Sequence, residues 1–193
     1  VARDHERYWT RELAHVPPEN IIVQPQNRGT VAGVLLPVLA IMERNAGARL
    51  AVLPSDHFVE KEPVLVSSLR LALQALDDIP SGITLLGLTP DAPETGYGWI
   101  VPARSSCLLR PIELFVEKPD AGHAAELFAR GALWNSFLFV ARGASLLGCY
   151  RERLPGLVER FVRALSGDLA GRPERLAALY DEIETRDFSR EIL

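Results

Sequence analysis

A chain of 193 residues, 48% hydrophobic and 24% charged, has the balance of one soluble globular domain and is too short for two ordinary ones. Its net charge of −4, with no basic block, speaks against a nucleic-acid or anionic-membrane surface. No apolar run reaches the roughly 18–20 residues that span a bilayer. Cys107 and Cys149 form no C-x-x-C pattern, so both read as reduced thiols of a cytoplasmic protein.

The chain opens "VARDHERYW", with neither a methionine nor a signal-peptide pattern, and so reads as starting partway through a longer protein. "NIIVQP" is a β-branched run closed by proline and is expected to be a short buried strand. "QNRG" follows as a turn, and Thr30 is placed to cap a core helix running to about Arg44, with Pro37 interrupting its apolar run. "NAGAR" breaks that helix and "LAVLP" is the next strand. Pro63 suits a first helical turn, after which Leu65, Leu69, Ala72, Leu73 and Leu76 mark an apolar face. "DIPSG" reads as a loop and "ITLLGL" as another buried strand.

This alternation predicts a doubly wound, mostly parallel α/β sheet, Rossmann-like, with helices on both faces. Ile21–Val23, Leu50–Leu53 and Ile83–Leu86 would be mutually parallel strands. "TPDAPETGYG" is then a turn-rich loop, and "WIVPA" and "IELFVEKP" are strands. "DAGHAAELFARG" is a helix stopped by Gly131, "FLFVA" is a further strand, and the remainder is mostly helical. No internal repeat or linker divides residues 1–193, which read as a single domain.

Several short stretches carry chemistry. "QPQNRGT" (24–30) joins a strand to a helix. Helix N-terminal amides attract anions, and Gly29 would let a ligand approach the backbone. An ordinary βα turn is the simpler reading of the same residues. "PSDH" delivers Asp56 to the tip of a strand, where ligands of open α/β sheets collect. Its carboxylate suits Mg²⁺, whereas His57 better suits a surface or supporting place. No G-x-S-x-G elbow occurs, which argues against a serine hydrolase. In "ETGYGWI", Gly96 and Gly98 would open the backbone to a sugar-sized ligand, or simply make a Gly-rich turn. "FVEKP" offers Glu117 as a hydroxyl acceptor and Lys118 as a point charge for phosphate. Neighbours on a strand face opposite sides, so these two are not expected to bridge each other. "LWNS" sets Asn135 just before a strand, where its amide could read a hydroxyl.

In order along the chain, "NIIVQPQNRGT", "LAVLPSDHFV", "PETGYGWI", "FVEKPD" and "LWNS" resemble the sugar-phosphate nucleotidyltransferases, of the mannose-1-phosphate guanylyltransferase type, from about Asn20 to Leu193. The resemblance implies attack of mannose 1-phosphate on the α-phosphorus of GTP, forming GDP-mannose and pyrophosphate. It places Gln24, Pro25, Arg28, Gly29 and Thr30 against the nucleotide. It makes Asp56 the Mg²⁺ ligand and, with Lys118, catalytic. Gly98, Glu117, Lys118 and Asn135 would hold the sugar phosphate, and all four should converge on one cleft. A homodimer is the assembly considered.

Four departures qualify it. The Gly-rich loop that holds the triphosphate in that family would precede Val1, and a second metal aspartate would follow Leu193. These 193 residues alone are therefore expected to be inactive. Phe137 stands where many members have glycine, which implies a reshaped sugar pocket. "RGTVAG" replaces the commoner Asn-Thr-Ala-Pro run, which bears on base preference. A non-catalytic nucleotide-sugar-binding or regulatory homologue, and a nucleotidyltransferase using another base or sugar, both stay open.

Overall fold

Apolar residues on almost every side of one helix set the first of two compact units, which comprises Val1–Ala48 and Leu147–Ile192. The computed structural model describes residues 1–79 and 82–193; Pro80 and Ser81, within the "DIPSG" loop reading, lie outside the described residues. In chain order this unit holds α1 (Glu6–Glu12) and α2 (Gly29–Arg44). It continues with the end of α5 (Gly143–Arg153), then α6 (Pro155–Leu165), α7 (Arg172–Glu182) and the short α8 (Phe188–Glu191). Val31, Ala32, Val34, Leu35, Leu36 and Val38 of α2 are all buried, so the helix is enclosed rather than amphipathic. Tyr150, Phe161, Tyr180 and Phe188 are fully buried with it. The Tyr150 hydroxyl donates to the Val31 carbonyl at 2.8 Å. Burial pushes the phenols of Tyr150 and Tyr180 up from their ordinary range, so both stay neutral donors.

"NIIVQP" is not a ladder strand. Gln24 alone makes a parallel bridge, to Ala2, with its N–H donating to Val1 O at 2.8 Å and its carbonyl accepting from Arg3 N–H at 3.0 Å. A β-branched run specifies an extended backbone but supplies no partner for it. Thr30 does not cap α2 either. The helix starts at Gly29 behind Arg28, with no side-chain cap, and the Thr30 hydroxyl accepts from Phe188 N–H at 2.8 Å.

The second unit, Arg49–Leu146 with Leu193, holds a five-stranded sheet. Its elements are β1 (Arg49–Val52), α3 (Glu62–Ala75), β2 (Ile83–Leu88), β3 (Gly98–Pro102), β4 (Ile112–Glu117), α4 (Ala121–Ala129) and β5 (Leu133–Arg142). The strand order is β1-β5-β3-β4, with β2 also paired to β5. Every ladder is antiparallel, which corrects the parallel Rossmann-like expectation. The reason is β5. It lies between β1 and β2 and opposes both, so those two run the same way without pairing.

The register assigns faces. Thr84↔Val140 and Leu88↔Trp134 put Val140 and Trp134 on one face, because paired residues share a side. Ala72 of α3 and the following Leu76 pack on Val140, while Ala124 and Leu127 of α4 pack on Trp99. Within this unit, α3 and α4 thus cover a single face. The opposite face carries Gly98, Glu117, Asn135, Gly87 and Phe139. α4 itself follows its sequence closely. The Asp120 carboxylate accepts from His123 N–H at 2.9 Å to cap it, and Gly131, at φ 74°, ends it in the left-handed conformation.

Candidate functional site

β3 and β4 pair so that Gly98 lies opposite Glu117, and Trp99 pairs with Trp134 so that Asn135 comes alongside. The approach is close. A Cβ built on Gly98 would lie 2.5 Å from Glu117 Oε2, 3.2 Å from Asn135 Cβ and 3.1 Å from Phe115 Cζ. Glycine is required here because two polar side chains close over its Cα. Gly96 is different: a Cβ there meets nothing within 4 Å, so it has no such role. Asn135 lies inside β5, not ahead of it.

Lys118 joins this group by an unexpected route. Its N–H donates to Tyr97 O at 3.2 Å, and its φ is 50°. That left-handed turn ends the strand alternation and brings Lys118 Nζ to 4.0 Å from Glu117 Oε1, with side chains 49% and 13% exposed. The expectation that the two would not bridge is therefore overturned, because the alternation rule holds only for extended backbone. The ion pair is long and half exposed, so it adds little stability. Its importance is that a half-exposed ammonium and a largely covered carboxylate face one place.

Phe137, the other non-glycine residue with positive φ among the described residues, belongs to the same site at φ 57°. Leu85 pairs with Phe139 but Gly87 with Asn135, so β5 carries two residues more than β2 across this interval. The Phe137 N–H donates to Asn135 Oδ1 at 3.1 Å, and Ser136 Oγ donates to Leu86 O at 2.5 Å. Each left-handed non-glycine residue costs on the order of 1–3 kcal/mol and persists where the surroundings impose it, commonly at functional sites. The glycine comparison for Phe137 was visible in the sequence; the bulge was not, because it arises from pairing with β2.

β1 and β3 share the edge of β5 that faces away from β2, β1 against Phe139–Arg142 and β3 against Leu133–Trp134. β1 runs toward the bulge between them and ends opposite Phe139, with Asp56 in the turn beyond. Asp56 and His57 are exposed, and Asp56 has no hydrogen-bond or ion-pair partner among the described residues. Among those residues no three His, Cys, Asp or Glu side chains gather as a metal site. A lone exposed carboxylate fits Mg²⁺ as one protein ligand, the rest of the shell coming from phosphates and water.

The "QPQNRGT" segment belongs to the first unit, where its polar groups are engaged. Tyr180 OH donates to Gln24 Oε1 at 3.2 Å, and Gln26 Nε2 donates to Asp181 Oδ1. Arg28 Nε donates to Tyr180 O at 2.7 Å. The Gly29 N–H donates to Asn27 Oδ1 at 3.0 Å. What approaches the Gly29 backbone is the chain at Arg186: a Cβ at Gly29 would lie 2.3 Å from Arg186 O, and φ is 75°. Gly29→Ala should accordingly destabilise the protein by about 2–4 kcal/mol, from a clash with backbone plus a left-handed alanine. Urea unfolding checks this, and an unchanged midpoint would refute the contact.

Among the described residues no helix is long and apolar enough to cross a membrane. Cys107 and Cys149 are free thiols.

A family model described as nucleotidyl transferase matches residues 3–154. The xanthan biosynthesis protein XanB of Xanthomonas campestris pv. campestris (strain B100) is 30% identical over 171 residues, which are 86% of this chain and 36% of that protein. A mannose-1-phosphate guanylyltransferase of Escherichia coli is 32% identical over 145 residues, 72% of this chain and 30% of the relative. A solved structure titled mannose-1-phosphate geranyltransferase, from Thermus thermophilus, matches with a TM-score of 0.84 and 29% identity, covering 100% of this chain and 54% of that one. A mannose-6-phosphate isomerase structure from Helicobacter pylori, at 18% identity and a TM-score of 0.77, shares the fold, covering 100% of this chain and 75% of that one. The chain spans about a third of the length of these curated relatives.

Proposed function

The chain belongs to the nucleotidyl transferase family, and from that premise we propose that it carries the sugar-phosphate site of an enzyme making GDP-mannose and pyrophosphate from GTP and mannose 1-phosphate. In this reading a phosphate oxygen of mannose 1-phosphate attacks the α-phosphorus of GTP. The new P–O bond forms as the bond to the β-phosphate oxygen breaks, and pyrophosphate leaves with that electron pair. No covalent enzyme intermediate is needed, so the protein's part is positioning and charge neutralisation.

Glu117 accepts hydrogen bonds from sugar hydroxyls, and Asn135 holds the sugar ring beside it. Lys118 supplies positive charge to the sugar phosphate, and Gly98, lacking a side chain, lets Glu117 and Asn135 come together. Asp56 would hold Mg²⁺, which supplies positive charge to the phosphates when bound. The resemblance also assigns the nucleotide to Gln24, Pro25, Arg28, Gly29 and Thr30 of the first unit, but Gln24, Arg28 and Thr30 are bonded internally and Arg186 covers the Gly29 backbone.

The observation that carries this reading is the meeting of Glu117 and Asn135 over Gly98, with Lys118 turned back toward Glu117. An acceptor, an amide and a cation gathered around one backbone position suit a phosphorylated polyol. Calorimetric titration of the chain with mannose 1-phosphate tests it. The parent should bind, and Gly98→Ala, whose methyl would displace the Glu117 carboxylate, should weaken binding by about tenfold, one hydrogen bond's worth. Equal affinity in both proteins, or no binding by the parent, would defeat the assignment. A second reading, a binding homologue without turnover, is favoured by the internal engagement of Gln24, Arg28 and Thr30. It predicts mannose 1-phosphate binding with no pyrophosphate release even in the protein that carries this chain, where the enzyme reading requires it.

A further inference from the structure

Phenylalanine has no intrinsic preference for φ near 57°, and a bulky residue held there is a conformational outlier. The surroundings that hold Phe137 are identifiable. Ser136 Oγ donates to Leu86 O on β2 and accepts from Leu138 N–H at 3.2 Å, which ties both ends of the bulge to one hydroxyl. Phe137 N–H reaches back to Asn135 Oδ1 at 3.1 Å, a bond across two residues that the left-handed bend makes possible. The ring rests edge-on against the fully buried Phe139, with centroids 5.9 Å apart. The carboxamide oxygen of Asn135 is thereby turned toward the bulge, while its Cβ remains against Gly98 beside Glu117.

We propose that Phe137 is a positioning residue whose left-handed backbone, and not its ring, fixes the Asn135 carboxamide in the sugar-phosphate site. The proposal rests on the reading of that site given above. It makes the backbone bend the quantity that matters, so function should follow tolerance of positive φ and ignore side-chain size. Glycine and asparagine adopt the left-handed region readily; a β-branched residue resists it.

The test compares the parent chain with Phe137→Gly, Phe137→Asn and Phe137→Val. NMR follows the Asn135 side-chain amide resonances and exchange of the residue-137 N–H, and titration with mannose 1-phosphate gives affinity. The glycine and asparagine variants should keep the Asn135 resonances near their parental positions and hold affinity within about threefold. The valine variant should shift those resonances, expose the residue-137 N–H to exchange and lose at least about tenfold in affinity. Thermal melting of each variant separates this from general loosening, because loss of stability alone does not move one side-chain amide selectively. Affinity lost equally in the glycine and asparagine variants, with the residue-137 N–H still protected, would assign the effect to the ring and overturn the proposal. Should the valine variant fail to fold, that pair still decides the matter. A parent that does not bind mannose 1-phosphate would instead sink the sugar-phosphate reading, while the Asn135 resonances would still report whether the bend positions the side chain.

Discussion

Replacing Asp56 with asparagine should lower pyrophosphate release from GTP and mannose 1-phosphate by at least about a hundredfold in the protein that carries this chain, since even groups that merely orient a metal's ligands matter by roughly 10–100-fold. The same change should leave the fold almost untouched. Asp56 is exposed and contributes no hydrogen bond or ion pair among the described residues, so its removal falls among surface substitutions worth within about 0.5 kcal/mol. Asparagine keeps the outline of the side chain and loses the negative charge that would offset a divalent cation between two anionic substrates. Excess Mg²⁺ should recover part of the rate, which a folding defect would not allow. Near-normal turnover in the variant would remove Asp56 from the metal site, and a large fall in melting temperature would give it a structural role that its exposure does not suggest.

Much of this architecture could be read from residue order, and the unreadable parts share one physical cause. "LAVLP", "ITLLGL", "WIVPA" and "IELFVEKP" become β1 to β4, short β-rich runs bounded by proline, glycine and polar turns, although of these four only β3 is buried along most of its length and the expected burial of "ITLLGL" is not met. Asp120 and Gly131 bracket α4 through bonds made within a few residues. Pairing is another matter. Alternating strands and helices imply parallel neighbours only when no later strand intervenes, and β5 enters between β1 and β2 from far along the chain. The same strand creates the bulge at Ser136 and Phe137, so no local signal could announce it.

The site shows the same division. Glu117, Asn135 and Gly98 come together because strand register brings them together, and each carried a chemical reason to be noticed. The orientation of Lys118 depended on one dihedral that a periodicity argument assumes to be extended. For Gln24–Thr30 the local reading held only for the helix that begins at Gly29; the expected strand is a single bridge at Gln24. That reading could not reveal that Tyr180, Arg186 and Phe188 would claim those polar groups from the other end of the chain.

Lys118 lends itself to a paired experiment, because it combines a cation with a left-handed backbone. Lys118→Ala and Lys118→Gly both remove the ammonium, and both should weaken mannose 1-phosphate binding by roughly tenfold to a hundredfold, the worth of a charge-assisted hydrogen bond of about 1.5–3 kcal/mol. Neither should alter the weaker affinity for unphosphorylated mannose, since Glu117 and Asn135 remain. The two variants should differ in stability. At φ 50° glycine is relieved of strain that alanine keeps, so Lys118→Gly should be the more stable by about 1 kcal/mol. Loss of the pair with Glu117 contributes little to either, because it spans 4.0 Å with the lysine half exposed. Raising ionic strength should weaken phosphate binding in the parent and hardly affect the variants, whose cation is gone. An equal loss of mannose and mannose 1-phosphate affinity would show that Lys118 shapes the pocket instead of meeting the phosphate. Unchanged mannose 1-phosphate affinity in both variants would remove it from the site altogether.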